Sequence, residues 1–233
     1  FMFSTVAFLM CFVLVGFTQS PRRENTEATP AFLKEFAAGI RYVRSDANLR
    51  LIFAVTIIFN VWGFPFTSMI PIIGSDVLKL NPLMVGLLSS TEGFGAFMGA
   101  IAIATNARPE YFLKIYVGGT ISYLTLILYL SGLTFLAGGP MHSFYAVSLV
   151  LIGLGVSSAC FAAMQGTLTY SSAPPEYRSR VLGVLTLCIG TGPIGFFNVG
   201  WMAELYDVPT ALLIISVEGL VALSLLWLFS SEP

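Results

Sequence analysis

Two glutamates lie deep within long apolar stretches of the sequence, where a carboxyl group is costly. Glu92 is at the middle of LLSSTEGFGAFMGAIA, and Glu218 is at the middle of ALLIISVEGLVALSLLWL. A charge at the centre of a bilayer costs ~3 kcal/mol on insertion scales. No lysine or arginine lies at mid-stretch to neutralise either acid. We interpret Glu92 as a site for a coupling proton or a cationic substrate, with Glu218 as a secondary candidate. The alternative is a protonated carboxyl group hydrogen-bonded to a neighbouring helix.

Helix-breaking and polar residues are concentrated in one stretch, LIFAVTIIFNVWGFPFTSMIPIIGSDVL. Pro65 lacks a backbone donor and clashes with the preceding turn, so it predicts a bent helix. An unsatisfied Asn60 amide would be costly in hydrocarbon, so we expect it to face protein or a wet cavity. The stretch is either a gating helix along a substrate path or a helix packed through one hydrogen bond.

The stretches that carry these residues have the length of membrane spans. Hydrophobic residues make up 56% of the chain and charged residues 10%, and the mean hydropathy is +0.86. A soluble domain carries ~25% charged residues, so this chain could not cover its surface with polar groups. A helix needs ~20 apolar residues to cross the bilayer core. We predict seven transmembrane stretches, at roughly 2–18, 49–72, 83–105, 111–136, 142–166, 180–203 and 209–229.

The basic residues predict the orientation of these stretches. Every lysine and arginine except Lys79 falls in alternate gaps between them. The positive-inside rule places those gaps, and the C-terminus, in the cytoplasm. In the first gap, Ala31 to Asp46 has apolar residues at helical spacing. We expect an amphipathic helix along the cytoplasmic interface, with its apolar face against lipid or, alternatively, against the protein itself.

Small residues predict where helices pack closely or bend. Gly95 and Gly99 form a GxxxG pair, which lets two helix backbones approach each other. The run from Gly190 to Pro193 predicts a flexible or kinked point in the sixth stretch. Gln165 falls near the predicted cytoplasmic end of its stretch, where contact with water is cheap.

The run SAPPEYRSRVLG, with Gln165 before it, resembles the loop between helices ten and eleven of the major facilitator superfamily. More narrowly, it is similar to the bacterial exporter branch that includes enterobactin-exporter-like and macrolide-efflux-like proteins. FNVWGFPFTSMIPIIGSDVL, followed by GLLSSTEGFGAFMGA, resembles helices seven and eight of that branch. Ser179 stands where the branch usually has glycine. The resemblance assigns helix six to 1–18, a cytoplasmic linker with an amphipathic helix to 19–48, and helices seven to twelve to 49–233.

The resemblance implies an all-α integral membrane fold. Six helices would form a C-terminal half of two inverted three-helix repeats, preceded by one extra transmembrane helix. The substrate site would lie near the midplane, between this half and a missing N-terminal half. Arg178 and Arg180 would belong to the cytoplasmic gate, and helix twelve, with Glu218, would be peripheral. The substrate and proton pathway would be lined by Asn60, Trp62, Thr67, Glu92 and Phe161.

Together, these features predict a fragment of a secondary active transporter that begins inside a helix. We expect proton-coupled antiport that exports a small amphipathic molecule by alternating access, in the bacterial inner membrane. The expected partners are the lipid bilayer, the substrate and the missing half. We expect no enzyme activity, cofactor, metal or nucleic acid. The alternatives are a seven-helix receptor or sensor and a non-catalytic membrane scaffold; a retinal protein would need a mid-stretch lysine, and the sequence has none.

Overall fold

The computed structural model describes residues 2–17, 30–135 and 140–230, and within them every regular element is helical. The chain divides into two compact units, Phe1–Lys34 and Glu35–Pro233. Helix α1, Met2–Phe17, is apolar and has 16 residues, fewer than the ~20 that cross a bilayer. A membrane crossing by this segment stays a prediction. Helix α2 covers Pro30–Ser45.

Six helical segments of the second unit are long and apolar enough to cross a membrane. Each overlaps one of the stretches predicted from hydropathy, so these six predictions are confirmed in number and place. We refer to them in chain order as the first to the sixth span. The spans are Ala47–Val77, Pro82–Asn106, Pro109–Phe135, Phe144–Ser172, Arg178–Leu205 and Val208–Phe229.

The α-helices within the spans begin at ordinary capping residues where the sequence offers them. The Asp46 carboxylate accepts from the Leu49 amide, and the Asn81 side chain accepts from the Met84 amide, both at 2.9 Å. Such caps satisfy amides that the first helical turn leaves unpaired. The helices are α3 (Ala47–Ile58), α4 (Ile70–Ile72), α5 (Pro82–Asn106), α6 (Phe112–Phe135), α7 (Pro140–Ser172), α8 (Arg178–Ile189), α9 (Gly192–Leu205) and α10 (Val208–Ser230).

Helix α7 is longer than the sequence pattern indicates. It continues to Ser172, more than one turn beyond the predicted end at 166. Gln165 therefore lies about two turns before the end of α7 rather than next to it. The polar residues Thr167, Thr169 and Ser171 lower the hydropathy there but stay helical, since each hydroxyl donates to a carbonyl of its own helix.

Helices α5 and α7 approach each other backbone to backbone, as the GxxxG spacing predicted. A Cβ added at Gly95 would meet the Ile152 carbonyl, and one added at Gly155 would meet the Glu92 carbonyl. A Cβ added at Gly99 would lie 2.9 Å from the Cα atom of Val156. Only hydrogen side chains leave room for this contact, which fixes the height of Glu92 relative to α7.

Helix α6 has one fully buried face. Tyr116, Tyr123, Leu124, Ile127 and Leu130 are fully buried along it. The two tyrosine rings carry hydroxyl groups into this apolar interior, and buried hydroxyls require hydrogen-bond partners. Those partners, described below, are the polar groups of the first and second spans.

The part of α2 within the second unit lies against the protein rather than lipid. Val43 is buried, and Phe36 and Ile40 pack on the buried core. A Cβ at Gly39 would come within 3.0 Å of the Arg180 carbonyl oxygen, so the helix rests directly on the start of α8. Of the two orientations left open by the sequence, the structure therefore shows the contact with the protein.

Candidate functional site

The first span is interrupted at its middle by two segments that are not α-helical, and it ends in a further π-helix, Ile73–Val77. After α3, Phe59–Gly63 forms a π-helix and Phe64–Met69 a 3-10 helix. Pro65 has no N–H to give to the Val61 carbonyl, which an α-helix would require. Gly195 of α9 packs directly against that carbonyl and against the Pro65 ring. Around Pro65 the α-helix is thus replaced by a π-helix followed by a tighter 3-10 helix, and π-helical turns frequently occur at functional sites.

The fifth span is also discontinuous. Helix α8 ends at Ile189 and α9 begins at Gly192, with the Thr191 hydroxyl donating to the Cys188 carbonyl at 2.7 Å. The kink predicted from Gly190 and Pro193 is confirmed. Two of the six spans are therefore broken near mid-membrane, the arrangement that transporters use to build substrate sites.

A cavity of about 350 Å³ lies between these two broken spans and the second and fourth spans. Its size is in the range of small-molecule pockets. It includes no charged side chain among its lining residues, and its walls are mostly aromatic or aliphatic. The lining residues are Phe59, Asn60, Phe64, Ala96, Ser158, Ala159, Phe161, Ala162, Gln165 and Ile189.

Stacked aromatic rings form one wall of this cavity. The rings of Phe59 and Phe161 are nearly parallel, with centroids 3.7 Å apart. Tyr116 stacks on the other side of Phe161 at 5.1 Å. The stack joins the π-helical segment of the first span to α7 and α6. A flat apolar group entering the cavity would meet a rigid surface rather than a mobile side chain.

A hydrogen-bonded network around Thr56 positions the two amide side chains of the cavity, those of Asn60 and Gln165. The Thr56 and Tyr116 hydroxyls are 2.8 Å apart, and Gln165 Nε2 donates to Thr56 Oγ1 at 3.2 Å. Asn60 Nδ2 donates to the Thr56 carbonyl at 2.9 Å. Each amide group uses one of its two N–H donors on the protein, so its second N–H and its carbonyl oxygen can serve a further partner.

Of the five pathway residues predicted from the resemblance, Asn60 and Phe161 line the cavity, whereas the other three do not. Glu92 lies one turn before the lining residue Ala96 and is half-buried. The Tyr123 hydroxyl donates to Glu92 Oε1 at 3.4 Å, a long hydrogen bond. Thr67 donates to the Phe64 carbonyl of its own helix at 2.9 Å. Trp62 points to a different neighbour.

Trp62 is hydrogen-bonded to the second buried acid. Its indole Nε1 donates to Glu218 Oε2 at 2.9 Å, and Asn198 Nδ2 donates to the same oxygen at 3.2 Å. The cluster joins the π-helical segment, α9 and α10. The helix that carries Glu218 is almost entirely apolar, and both hydrogen-bond partners come from other helices.

The two arginines of the predicted gate lie where α7, α8 and α2 meet. The Arg178 guanidinium lies over the Tyr170 ring at 4.1 Å and donates through Nε to the Ala173 carbonyl at 3.1 Å. Arg180 forms a 3.0 Å ion pair with Glu35 of α2. Arg178 thus fixes the turn between the fourth and fifth spans, and Arg180 ties it to α2.

Sequence reasoning did not identify Phe59, Thr56 and Gln165 as parts of one site. Thr56 and Asn60 are four residues apart, which places them on one helix face. Gln165 required knowing that α7 extends to Ser172, and Phe59 required knowing where the helix changes to the π form. Neither fact leaves a clear pattern in a single sequence.

The fold and the site together define an all-helical, multi-pass membrane protein with a mid-membrane cavity between broken spans. The family model of the Major Facilitator Superfamily matches residues 1–194. The chain belongs to this superfamily of membrane transporters. No curated protein and no solved structure matches the chain in the corresponding comparisons.

Proposed function

We propose that the chain supplies one wall of the substrate path of a secondary transporter. The observation that carries the proposal is the cavity at the junction of the two broken spans, because discontinuous helices at mid-membrane are typical of transporter substrate sites. The aromatic stack of Phe59 and Phe161 suits a flat apolar group. The carbonyl oxygens of Asn60 and Gln165 suit a hydroxyl, amide or ammonium donor on the same molecule. The substrate is then a small amphipathic compound.

The proposal assigns α1 to helix six, residues 19–48 to the cytoplasmic linker, and 49–233 to helices seven to twelve. An N-terminal half would supply the opposite wall of the cavity. Basic residues in alternate gaps support a cytoplasmic C-terminus, in a bacterial inner membrane. The similarity to the enterobactin- and macrolide-exporter branch supports export as the direction. In this frame, Arg178 and Arg180 form part of the cytoplasmic gate.

Glu92 is the proposed binding site of the coupling proton. Its only hydrogen bond among the described side chains is the long one from Tyr123, so the carboxyl group can exchange a proton without breaking a tight network. Ala96, one turn further along α5, lines the cavity. A change at Glu92 therefore acts on a helix that forms part of the substrate wall.

The test is export of two fluorescent compounds, cationic ethidium and uncharged N-phenylnaphthylamine, from cells that lack their own exporters. The cells express the chain together with whatever segment its gene places before Phe1. We expect faster export of at least one compound, abolished by an uncoupler. Phe161→Ala should weaken apparent affinity, because it removes the middle ring of the stack. Phe197→Ala is the matched control, since Phe197 is exposed outside the cavity. Equal loss in both variants, or no export, would contradict the proposal.

A further inference from the structure

The π-helical segment Phe59–Gly63 has two faces with different contacts. Phe59 and Asn60 line the cavity. Trp62, two residues beyond Asn60, points away from the cavity and donates its indole hydrogen to Glu218. The segment thus contacts the cavity through Phe59 and Asn60 and the Glu218 cluster through Trp62. A displacement of Trp62 must move Phe59 and Asn60 with it, because all three belong to one helical turn.

Close backbone contacts make this turn sensitive to its outer neighbours. A Cβ added at Gly219 of α10 would lie 2.9 Å from the Cβ atom of Trp62. The helix that carries Glu218 is therefore packed directly against Trp62. Asn198 of α9 donates to the same carboxylate oxygen, and Gly195, one turn earlier, packs against Val61. Helices α9 and α10 therefore both pack against the π-helical segment. Glu218 of α10 is hydrogen-bonded to the segment through Trp62 and to α9 through Asn198.

A π-helical turn needs such external support. Its wide i→i+5 geometry is intrinsically less favourable than the α-helix and occurs mostly as single turns. An α-helical register at this point would rotate Trp62 away from Glu218 and would turn Asn60 relative to the cavity. The hydrogen bond from Trp62 to Glu218 Oε2 favours the π register over the α register, and the bond from Asn198 to the same oxygen holds that carboxylate in place.

We infer that Glu218 is a positioning residue that shapes the substrate cavity from outside it, by holding Trp62 and with it the π-helical wall. The inference rests on the proposed function, because the cavity is taken as the substrate site. Glu218 acts here as a hydrogen-bond acceptor, and a proton cycle at this residue is not required. This separates it from Glu92, although both acids occupy the middle of a span.

The groups that face Glu218 support an acceptor role. The described neighbours on the π-helical segment and α9 offer N–H donors, Trp62 and Asn198. Of the ionisable groups on the packed helices, the Tyr116 hydroxyl is bonded to Thr56 and Ile52, and the Tyr123 hydroxyl to Glu92. Arg50 of α3, and Lys114 and Tyr129 of α6, are exposed, as is Glu204 of α9. Among the described residues no cation pairs with Glu218.

The first experiment needs no substrate. Amide hydrogen exchange of the segment 59–63 is compared in purified wild-type protein, Glu218→Leu and Glu218→Gln. Leucine removes the acceptor, and we expect exchange about tenfold faster, the effect of losing one strong hydrogen bond. Glutamine keeps a carbonyl oxygen for Trp62 and Asn198, so exchange should stay within about threefold of wild type. Val217→Leu, one residue earlier on the same helix, is the control and should change nothing.

The second experiment measures export of ethidium and N-phenylnaphthylamine by the same variants and by Trp62→Phe. Glu218→Leu and Trp62→Phe should each raise the half-saturating concentration about tenfold, and the double variant should be no worse than either. Export by Glu218→Leu and by Trp62→Phe should depend on external pH as export by the wild type does. Glu218→Gln should export at nearly the wild-type rate. Trp201→Phe is the control for Trp62.

Unchanged exchange at 59–63 in Glu218→Leu would overturn the inference. It would also be overturned if Glu218→Gln lost as much export as Glu218→Leu, because the charge or the proton would then be what matters. Failure of the wild-type protein to export either compound counts against the proposed function instead. In that case the exchange experiment still decides whether Glu218 holds the π-helical wall.

Discussion

The two acids at mid-membrane, Glu92 and Glu218, have nearly the same sequence setting but opposite surroundings in the structure. Glu218 accepts two hydrogen bonds, from Trp62 and Asn198, on one oxygen. Glu92 receives one long bond, from Tyr123. A carboxylate with two donors is held more firmly than one with a single long hydrogen bond. This difference is the basis on which we propose proton exchange at Glu92 and a positioning role for Glu218.

The largest effect that separates the two acids should be on coupling. Replacing Glu92 by glutamine removes the exchangeable proton and retains the shape, so export driven by a pH gradient should fall to the background leak. Glu218→Gln, the matched variant, should keep a wild-type pH dependence. The measurement is dye uptake into inverted membrane vesicles, which corresponds to export from the cell, over a series of imposed pH gradients. An unchanged pH dependence in Glu92→Gln would discard Glu92 as the coupling site.

The second comparison concerns the helix backbones that carry the two acids. A methyl group at Gly155 would meet the Glu92 carbonyl and, at 2.5 Å, the Ala96 amide nitrogen, all of them backbone atoms. At Gly219 it would meet side-chain atoms of Leu124 and Trp62 at 2.9 Å. Overpacking costs about 1–3 kcal/mol, and more where the obstacle is rigid. We expect Gly155→Ala to lower the free energy of unfolding by ~3 kcal/mol or more, and Gly219→Ala by ~1–2 kcal/mol.

Denaturant unfolding of the purified protein in detergent measures both alanine variants, with Gly118→Ala as a control because nothing lies near its Cβ position. A larger loss for Gly219→Ala than for Gly155→Ala would mean that α10, rather than the seam between α5 and α7, is the rigid contact.

The third comparison removes each carboxyl group altogether. Glu218→Leu leaves two donors without an acceptor, and an unsatisfied buried donor costs ~1–3 kcal/mol. Glu92→Leu leaves one donor without an acceptor, the buried Tyr123 hydroxyl, whose bond to Glu92 is long. We expect a loss of ~2–4 kcal/mol in the free energy of unfolding for Glu218→Leu, and a smaller loss of ~1–2 kcal/mol for Glu92→Leu. Equal losses in the same denaturation assay would show that Glu92 is held as firmly as Glu218.

Much of the fold could be predicted from the sequence, because the bilayer imposes a simple physical rule. Apolar length identified the six spans, and the spacing of Gly95 and Gly99 identified the seam between α5 and α7. Pro65 and the run from Gly190 to Pro193 indicated where the spans break. These features act through a single helix or one close contact, so they leave a local pattern.

The site was only partly predictable, because its members meet through contacts between distant segments. Asn60 and Phe161 were identified from the resemblance. Gln165 was not, because its hydrogen-bond partner, Thr56, is 109 residues away in the sequence. The partners of Glu218 lie on the first and fifth spans, so the composition of its own helix was misleading. A polar residue in a membrane helix pairs with groups on neighbouring helices, and the hydropathy of its own helix does not reveal them.

The smallest effect tests the one bond that Glu92 makes. Tyr123→Phe removes the hydroxyl that donates to Glu92 and leaves the ring, which also packs on Phe59 at 4.9 Å and on Phe66 at 6.3 Å. Because the bond is long, we expect a loss of only ~0.5 kcal/mol or less in the free energy of unfolding. Trp62→Phe, which removes a 2.9 Å donor from Glu218, should cost ~1–3 kcal/mol in the same assay. A cost for Tyr123→Phe as large as that for Trp62→Phe would mean that the Tyr123 hydroxyl holds Glu92 tightly, and the distinction between an exchanging and a structural acid would then fail.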